Sequence, residues 1–164
     1  LVIYKGSGSM NIEKTLEAGR VMRYHAAPID KKQSVAEHSW GVAMILMEIC
    51  KYPSKNLLKY AIMHDAAEFH TGDLPAPIKK ANRQVKDMFD DLEEDGFEIL
   101  GLTLPDLTVE EHRYLKIADC LEGMYYCESR IQAGDNAAIP VRDRYVIYLN
   151  KLNWNVKEMC DDGE

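Results

Sequence analysis

The sequence predicts an all-α protein, a bundle of five or six main helices. Long stretches carry apolar residues at helical spacing. Several of these stretches open on Ser, Thr or Asn, twice with a Glu three residues on, the sign of a capped helix start. No convincing alternating strand pattern and no internal repeat interrupts them.

The chain has 164 residues, 46% of them hydrophobic, enough for one globular domain with its own core. Its net charge of −7 and the absence of a long Lys/Arg cluster argue against a nucleic-acid partner. A small anionic ligand needs only two or three placed cations and stays open. Cys50, Cys120, Cys127 and Cys160 form no CxxC pair, so reduced thiols in a cytoplasmic protein are expected. No apolar run reaches the roughly 18 residues that span a bilayer, so no membrane partner is expected. Residues 1–9, with Gly6-Ser7-Gly8-Ser9, read as an appended linker before a native Met10, and residues 10–164 as a single domain.

Asn11 caps a first helix expected to end near Met22-Arg23-Tyr24. The stretch from His25 to Gln33 contains Pro28 and reads as a loop. Ser34 caps a second helix, with Glu37 at the capping-box position. Its run from Val35 to Cys50 is apolar nearly all round, which predicts a central, buried helix. Pro53-Ser54 starts a third helix, Lys55 to about His70. Thr71 to Pro77 is a loop by its Gly and two prolines. Helix returns from about Ile78 to Leu100, with a solvated acidic face at Asp90, Asp91, Glu93, Glu94 and Asp95. After a loop from Gly101 to Leu107, Thr108 and Glu111 form a second capping box opening a helix to about Ala133. Gly134-Asp135-Asn136 is a turn, and a last helix covers about Val141 to Met159, with Tyr145, Tyr148 and Trp154 on one face as core or subunit contacts.

Four polar residues sit in apolar surroundings on three of these helices: His38, the adjacent His64-Asp65, and Asp119. Any one of them has an ordinary reading as a satisfied core group. Together, two imidazoles and two carboxylates converging between helices form a nitrogen–oxygen set suited to a divalent metal, whether Mn²⁺, Co²⁺, Mg²⁺ or Zn²⁺. Glu68 follows His64 by four residues and is expected on the same helix side.

The order His, His-Asp, Asp resembles the HD-domain metal-dependent phosphohydrolases. Ser34-Val35-Ala36-Glu37-His38-Ser39 resembles the VSEHS segment of the bacterial 5′-deoxynucleotidases. His64-Asp65-Ala66-Ala67-Glu68 and Thr71-Gly72-Asp73-Leu74-Pro75-Ala76-Pro77 look like that family's HDxxE and TGDLPTP segments, and Arg23-Tyr24 stands where it has an Arg-Trp pair. The same motifs occur in the phage dATP triphosphohydrolases, which this chain resembles in its short length.

The resemblance implies an HD-domain bundle with a metal site between helices, held by His38, His64, Asp65 and Asp119. It implies Glu68 and Asp73 as the acid–base residues, since two carboxylates in unequal environments can divide those roles. Arg23 and Lys79 become candidate phosphate clamps. Tyr24 replaces the family's Trp as an aromatic wall for base or sugar, and Ala26 and Pro77 are further pocket walls by analogy with the phage enzymes. The implied function is a deoxynucleotide phosphohydrolase, leaning to dATP triphosphohydrolase by water attack at a metal-bound α-phosphate. A 5′-deoxynucleotidase acting on dNMPs is the alternative, and a non-catalytic, metal-stabilised binding module the distant one. A homo-oligomer is expected from the apolar last helix and from the relatives, in the cytoplasm (the host's, if the chain is viral).

Overall fold

The computed structural model describes residues 10–72 and 82–154. Helix α1, Ile12–Ala18, starts where Asn11 accepts a hydrogen bond from the Lys14 N–H. It ends at Gly19, short of the expected Tyr24, and an unexpected pair of two-residue strands follows. Strand β1, Met22–Arg23, runs antiparallel to β2, Gln33–Ser34, with Arg23 opposite Gln33. Strands this short leave no period-two signature to read. The Val35 N–H to Val21 carbonyl bond, 2.8 Å, and the Ala36 N–H to Gly19 carbonyl bond, 3.0 Å, bind the hairpin to the next helix.

That helix, α2 at Val35–Ile49, carries the expected Ser34/Glu37 capping box. It is central but buried on one side only. His38, Val42 and Leu46 face inward, whereas Trp40, Met44 and Met47 are exposed. Helix α3, Lys55–Met63, is capped by Ser54 and ends at His64. The expectation of one helix continuing to His70 is corrected. A tight turn intervenes, and a short α4, Glu68–Thr71, follows. Successive backbone bonds here skip three residues, from Ala66 N–H to Met63, Glu68 N–H to Asp65 and His70 N–H to Ala67, the tighter 3₁₀ pattern. His64 Nδ1 also bonds the Ala61 carbonyl at 2.7 Å, the oxygen that a continuing α-helix would offer to the Asp65 N–H.

Helix α5 spans Arg83–Leu100, with Asn82 in extended geometry as its cap; the expected start at Ile78 lies outside the described residues. Gly101, at φ 64°, ends it in the left-handed conformation that glycine tolerates. Helix α6, Val109–Gln132, has the expected Thr108/Glu111 capping box. A 3₁₀ turn at Asn136–Ala138 leads into α7, Ile139–Lys151, which stops well before the expected Met159.

Helix α6 packs against both α2 and α7, α3 covers α2, and α1, α4 and α5 associate with one another. Val42, Leu46, Leu57, Ala61 and Ala118 fill the α2–α3–α6 core, and Ile117, Leu121 and Leu149 fill the α6–α7 core, where Tyr145, Tyr148 and Trp154 also pack. Cys50, Cys120 and Cys127 are free thiols. Among the described residues no helix is long and apolar enough to cross a membrane.

Candidate active site

The fold brings one turn of α2, the end of α3 and the middle of α6 together. His38 projects from α2 and is fully buried. His64 and Asp65 occupy the turn after α3, and Asp119 comes from α6. Ligand atoms of His38, His64 and Asp65 all lie within 4.8 Å of one another. His38 Nε2 is 3.5 Å from Asp65 Oδ2 and 3.3 Å from Asp119 Oδ1, and His64 Nε2 is 3.3 Å from Asp65 Oδ1. The two rings are 5.4 Å apart between centroids. Asp119 thus borders the cluster through His38, while its second oxygen takes Lys116 Nζ at 2.7 Å.

The hydrogen bonds on the far side of each ring decide what the near side can do. His64 Nδ1 faces a backbone carbonyl and His38 Nδ1 faces the Glu122 carboxylate, both acceptors. Each ring therefore carries its proton on Nδ1 when neutral and presents an Nε2 lone pair to the cluster. Both Nε2 atoms are buried and lack a hydrogen-bond partner among the described residues. Buried polar atoms are normally paired. Two converging imidazole nitrogens beside carboxylates fit a divalent metal ion, which His38, His64 and Asp65 could hold, with Asp119 at the border of the cluster.

The electrostatics agree with that fit. Burial presses the Asp65 carboxyl upward, but His64, Arg23 and His38 outweigh it and hold the group below its usual range. Asp119 lies further down, its burial outweighed by the adjacent His38 ring and the Lys116 charge. Burial and Arg23 press His38 downward, yet the neighbouring carboxylates of Asp119, Glu122 and Asp65 hold it above its usual value. The carboxylates outnumber the cations here, so the pocket favours added positive charge.

Arg23, at the end of β1, is 8% exposed, with Nε 3.9 Å from Asp65 Oδ2 and Nη1 3.6 Å from Glu122 Oε2. It stands beside the cluster. Tyr24 turns away from its neighbour's course by adopting φ 62°. Its ring stacks on Tyr126 at 5.3 Å, and its hydroxyl lies 3.1 Å from that of Tyr145. Ala26 is exposed in the β1–β2 loop. Glu68 is half-buried as the first residue of α4, on a separate helix from the one expected to carry it. Asp73, Pro77 and Lys79 lie outside the described residues.

Sequence reasoning missed Glu122 and Gln33. Glu122 follows Asp119 by three residues, one turn along α6, and that spacing was the available signal. Gln33 had none, since its place depends on the unexpected hairpin.

Residues 17–158 match the sequence model of the family described as 5′-deoxynucleotidase YfbR-like. The chain is 32% identical over 164 residues to a dATP triphosphohydrolase of Salmonella phage PMBT28, covering 87% of this chain and 80% of that protein. It is 27% identical over 137 residues to a 5′-deoxynucleotidase of Klebsiella pneumoniae, covering 70% and 69%. Among solved structures, an HD-domain phosphohydrolase from Listeria innocua aligns with TM-score 0.70 at 21% identity, over 92% of this chain and 86% of that one. A cyanophage S-2L HD phosphohydrolase, bound to dA and one catalytic Zn²⁺ ion, aligns with TM-score 0.59 at 19% identity, over 88% and 85%. These two likenesses establish the fold. The match to the family along most of the chain establishes more: this protein belongs to the YfbR-like 5′-deoxynucleotidase family and is an HD-domain phosphohydrolase acting on deoxynucleotides.

Proposed function

We propose that the chain is a divalent-metal enzyme that splits dATP into deoxyadenosine and triphosphate. The observation that carries the metal reading is the convergence of two buried, unpartnered imidazole nitrogens beside Asp65. The choice of dATP rests on the 32% identity to the phage dATP triphosphohydrolase. The family description and the deoxynucleotidase relatives favour the second reading, hydrolysis of dNMPs to deoxynucleoside and phosphate.

His38, His64, Asp65 and Asp119 would hold the ion. When bound, a divalent ion there polarises a phosphoryl oxygen and lowers the pKa of a coordinated water. Arg23 keeps a permanent charge, since the carboxylates around it outweigh its burial. Its buried Nε has no hydrogen-bond partner among the described residues and is the proposed donor to a phosphate oxygen. Lys116 holds one oxygen of Asp119, leaving the other toward His38. Glu68 and Asp73 are the candidate pair that would, between them, orient or deprotonate the attacking water and protonate the departing 5′ oxygen. Either substrate is cleaved between phosphorus and that oxygen, so one set of residues serves both. Lys79 is the second clamp that a triphosphate calls for, and Tyr24, Ala26 and Pro77 are the proposed walls around sugar and base.

A cytoplasmic location suits a free deoxynucleotide substrate. Self-association is also proposed; Trp40, Met44 and Met47 share an exposed face of α2, and light scattering in solution tests it.

Product analysis decides the substrate. Metal-loaded protein is incubated separately with dATP and dAMP, and products are resolved by ion exchange. Intact triphosphate from dATP supports the leading reading. Phosphate from dAMP with dATP untouched supports the second. No turnover of either, with every candidate ion tried, supports a non-catalytic binding module.

A further inference from the structure

Glu122 and Gln33 are almost fully buried, 8% and 5% exposed. A buried carboxylate is costly unless its oxygens are engaged. Here they are. Glu122 Oε2 takes His38 Nδ1 and lies 3.6 Å from Arg23 Nη1, and Oε1 accepts from Gln33 Nε2 at 2.6 Å. The Gln33 carbonyl oxygen accepts from Arg23 Nη1 at 3.2 Å. The amide has one good orientation: flipped, it would set donor against guanidinium and oxygen against carboxylate. Gly41 makes room, since a Cβ there would stand 2.7 Å from Glu122 Cγ.

We propose that Glu122 and Gln33 are positioning residues that hold a metal-ligating imidazole and the phosphate clamp as one unit. Their role rests on the metal reading above. A carboxylate oxygen accepts hydrogen bonds, so Glu122 Oε2 against Nδ1 holds the His38 proton there and keeps Nε2 as the ligand atom. The partner of His64 Nδ1 is a backbone carbonyl, which substitution of a side chain leaves in place. His38 depends on a side chain instead. Gln33 joins that side chain to Arg23, so the guanidinium sits at a fixed distance from the imidazole.

The test uses the full chain and Zn²⁺ alone, with affinity read by competition against a chromophoric chelator. Glu122→Ala should weaken Zn²⁺ binding about 10- to 100-fold, the usual effect of removing such a partner. Glu122→Gln, which retains an acceptor oxygen, should lose less. Long-range ¹H–¹⁵N spectra of histidine-labelled protein should show the His38 Nδ1–H tautomer in the wild type and a mixture in Glu122→Ala, a change that loss of packing alone would not make. Gln33→Met should keep most of the Zn²⁺ affinity while raising KM for the deoxynucleotide more than it lowers kcat. If Glu122→Ala fails to fold, Glu122→Gln and the spectra carry the test. Wild-type Zn²⁺ affinity and an unchanged tautomer in the Glu122 variants would overturn the role of Glu122, and an unchanged KM in Gln33→Met would overturn the coupling. His38→Ala separates the levels. Loss of Zn²⁺ there with none in the Glu122 variants sinks only this inference, whereas full retention sinks the metal reading itself.

Discussion

Gly41→Ala drives a methyl group into the Glu122 side chain. The new carbon would lie 2.7 Å from Glu122 Cγ, 3.0 Å from Oε1 and 3.2 Å from Cδ. Carbon atoms pack best at about 3.5–4.0 Å, so the overlap at Cγ approaches 1 Å. Cγ lies near the main chain of α6, and its carboxylate is held by His38, Gln33 and Arg23, so the side chain has little room to swing. Overpacking of this kind costs about 1–3 kcal/mol. Replacing a mid-helix glycine by alanine returns about 1 kcal/mol of helix propensity. The net expectation is a loss of roughly 0–2 kcal/mol, with weakened Zn²⁺ binding as Glu122 is pushed off His38. Urea denaturation of the metal-free protein measures the first effect and chelator competition the second. The sign should reverse in a Glu122→Ala background, where the obstacle is gone and Gly41→Ala should stabilise by about 1 kcal/mol. A stabilising Gly41→Ala in the presence of Glu122, with Zn²⁺ affinity intact, would refute the placement of this carboxylate.

Glu68→Ala should abolish turnover while Zn²⁺ binding and the thermal melt persist; retained turnover removes Glu68 from the chemistry. Ser34→Ala, losing the cap of the helix that carries His38, should cost about 1 kcal/mol in a denaturant titration. Acid should loosen the helix starts. Hydrogen bonds from the Ser34 N–H and hydroxyl hold the Glu37 carboxyl below its ordinary 4.5, and bonds from Ser54 and then Thr108 do the same for Glu111. A carboxyl lowered in the folded state stabilises the fold above its ordinary value and loses that contribution as pH falls through the folded value. The melting temperature of the metal-free protein should therefore drop below about pH 4, and Glu37→Gln should flatten part of that drop.

Much of this was legible in the sequence because local chemistry and tertiary structure agree. The Asn11, Ser34, Ser54 and Thr108 caps sit where their side chains bond the first turns, and α2, α3 and α6 begin as expected. The candidate ligands were legible because each is a polar residue set in an apolar run. Breaks that depend on side-chain diversion were not legible. The end of α3 turns on His64 bonding the Ala61 carbonyl, and no propensity encodes that. The apolar run of α2 suggested burial all round, but Trp40, Met44 and Met47 meet solvent. Gln33 and Glu122 lie 89 residues apart and meet only through the hairpin and α6, a long-range contact with no sequence period.

The most direct test of the account follows bound metal and deoxynucleotide hydrolysis together in one preparation. The ion is stripped with a chelator, restored, and the cycle repeated on Asp65→Ala. The account predicts that hydrolysis disappears with the ion and returns with it, and that Asp65→Ala retains neither. Hydrolysis continuing at its full rate in the stripped protein, or an Asp65→Ala protein that keeps both the ion and the activity, would contradict it.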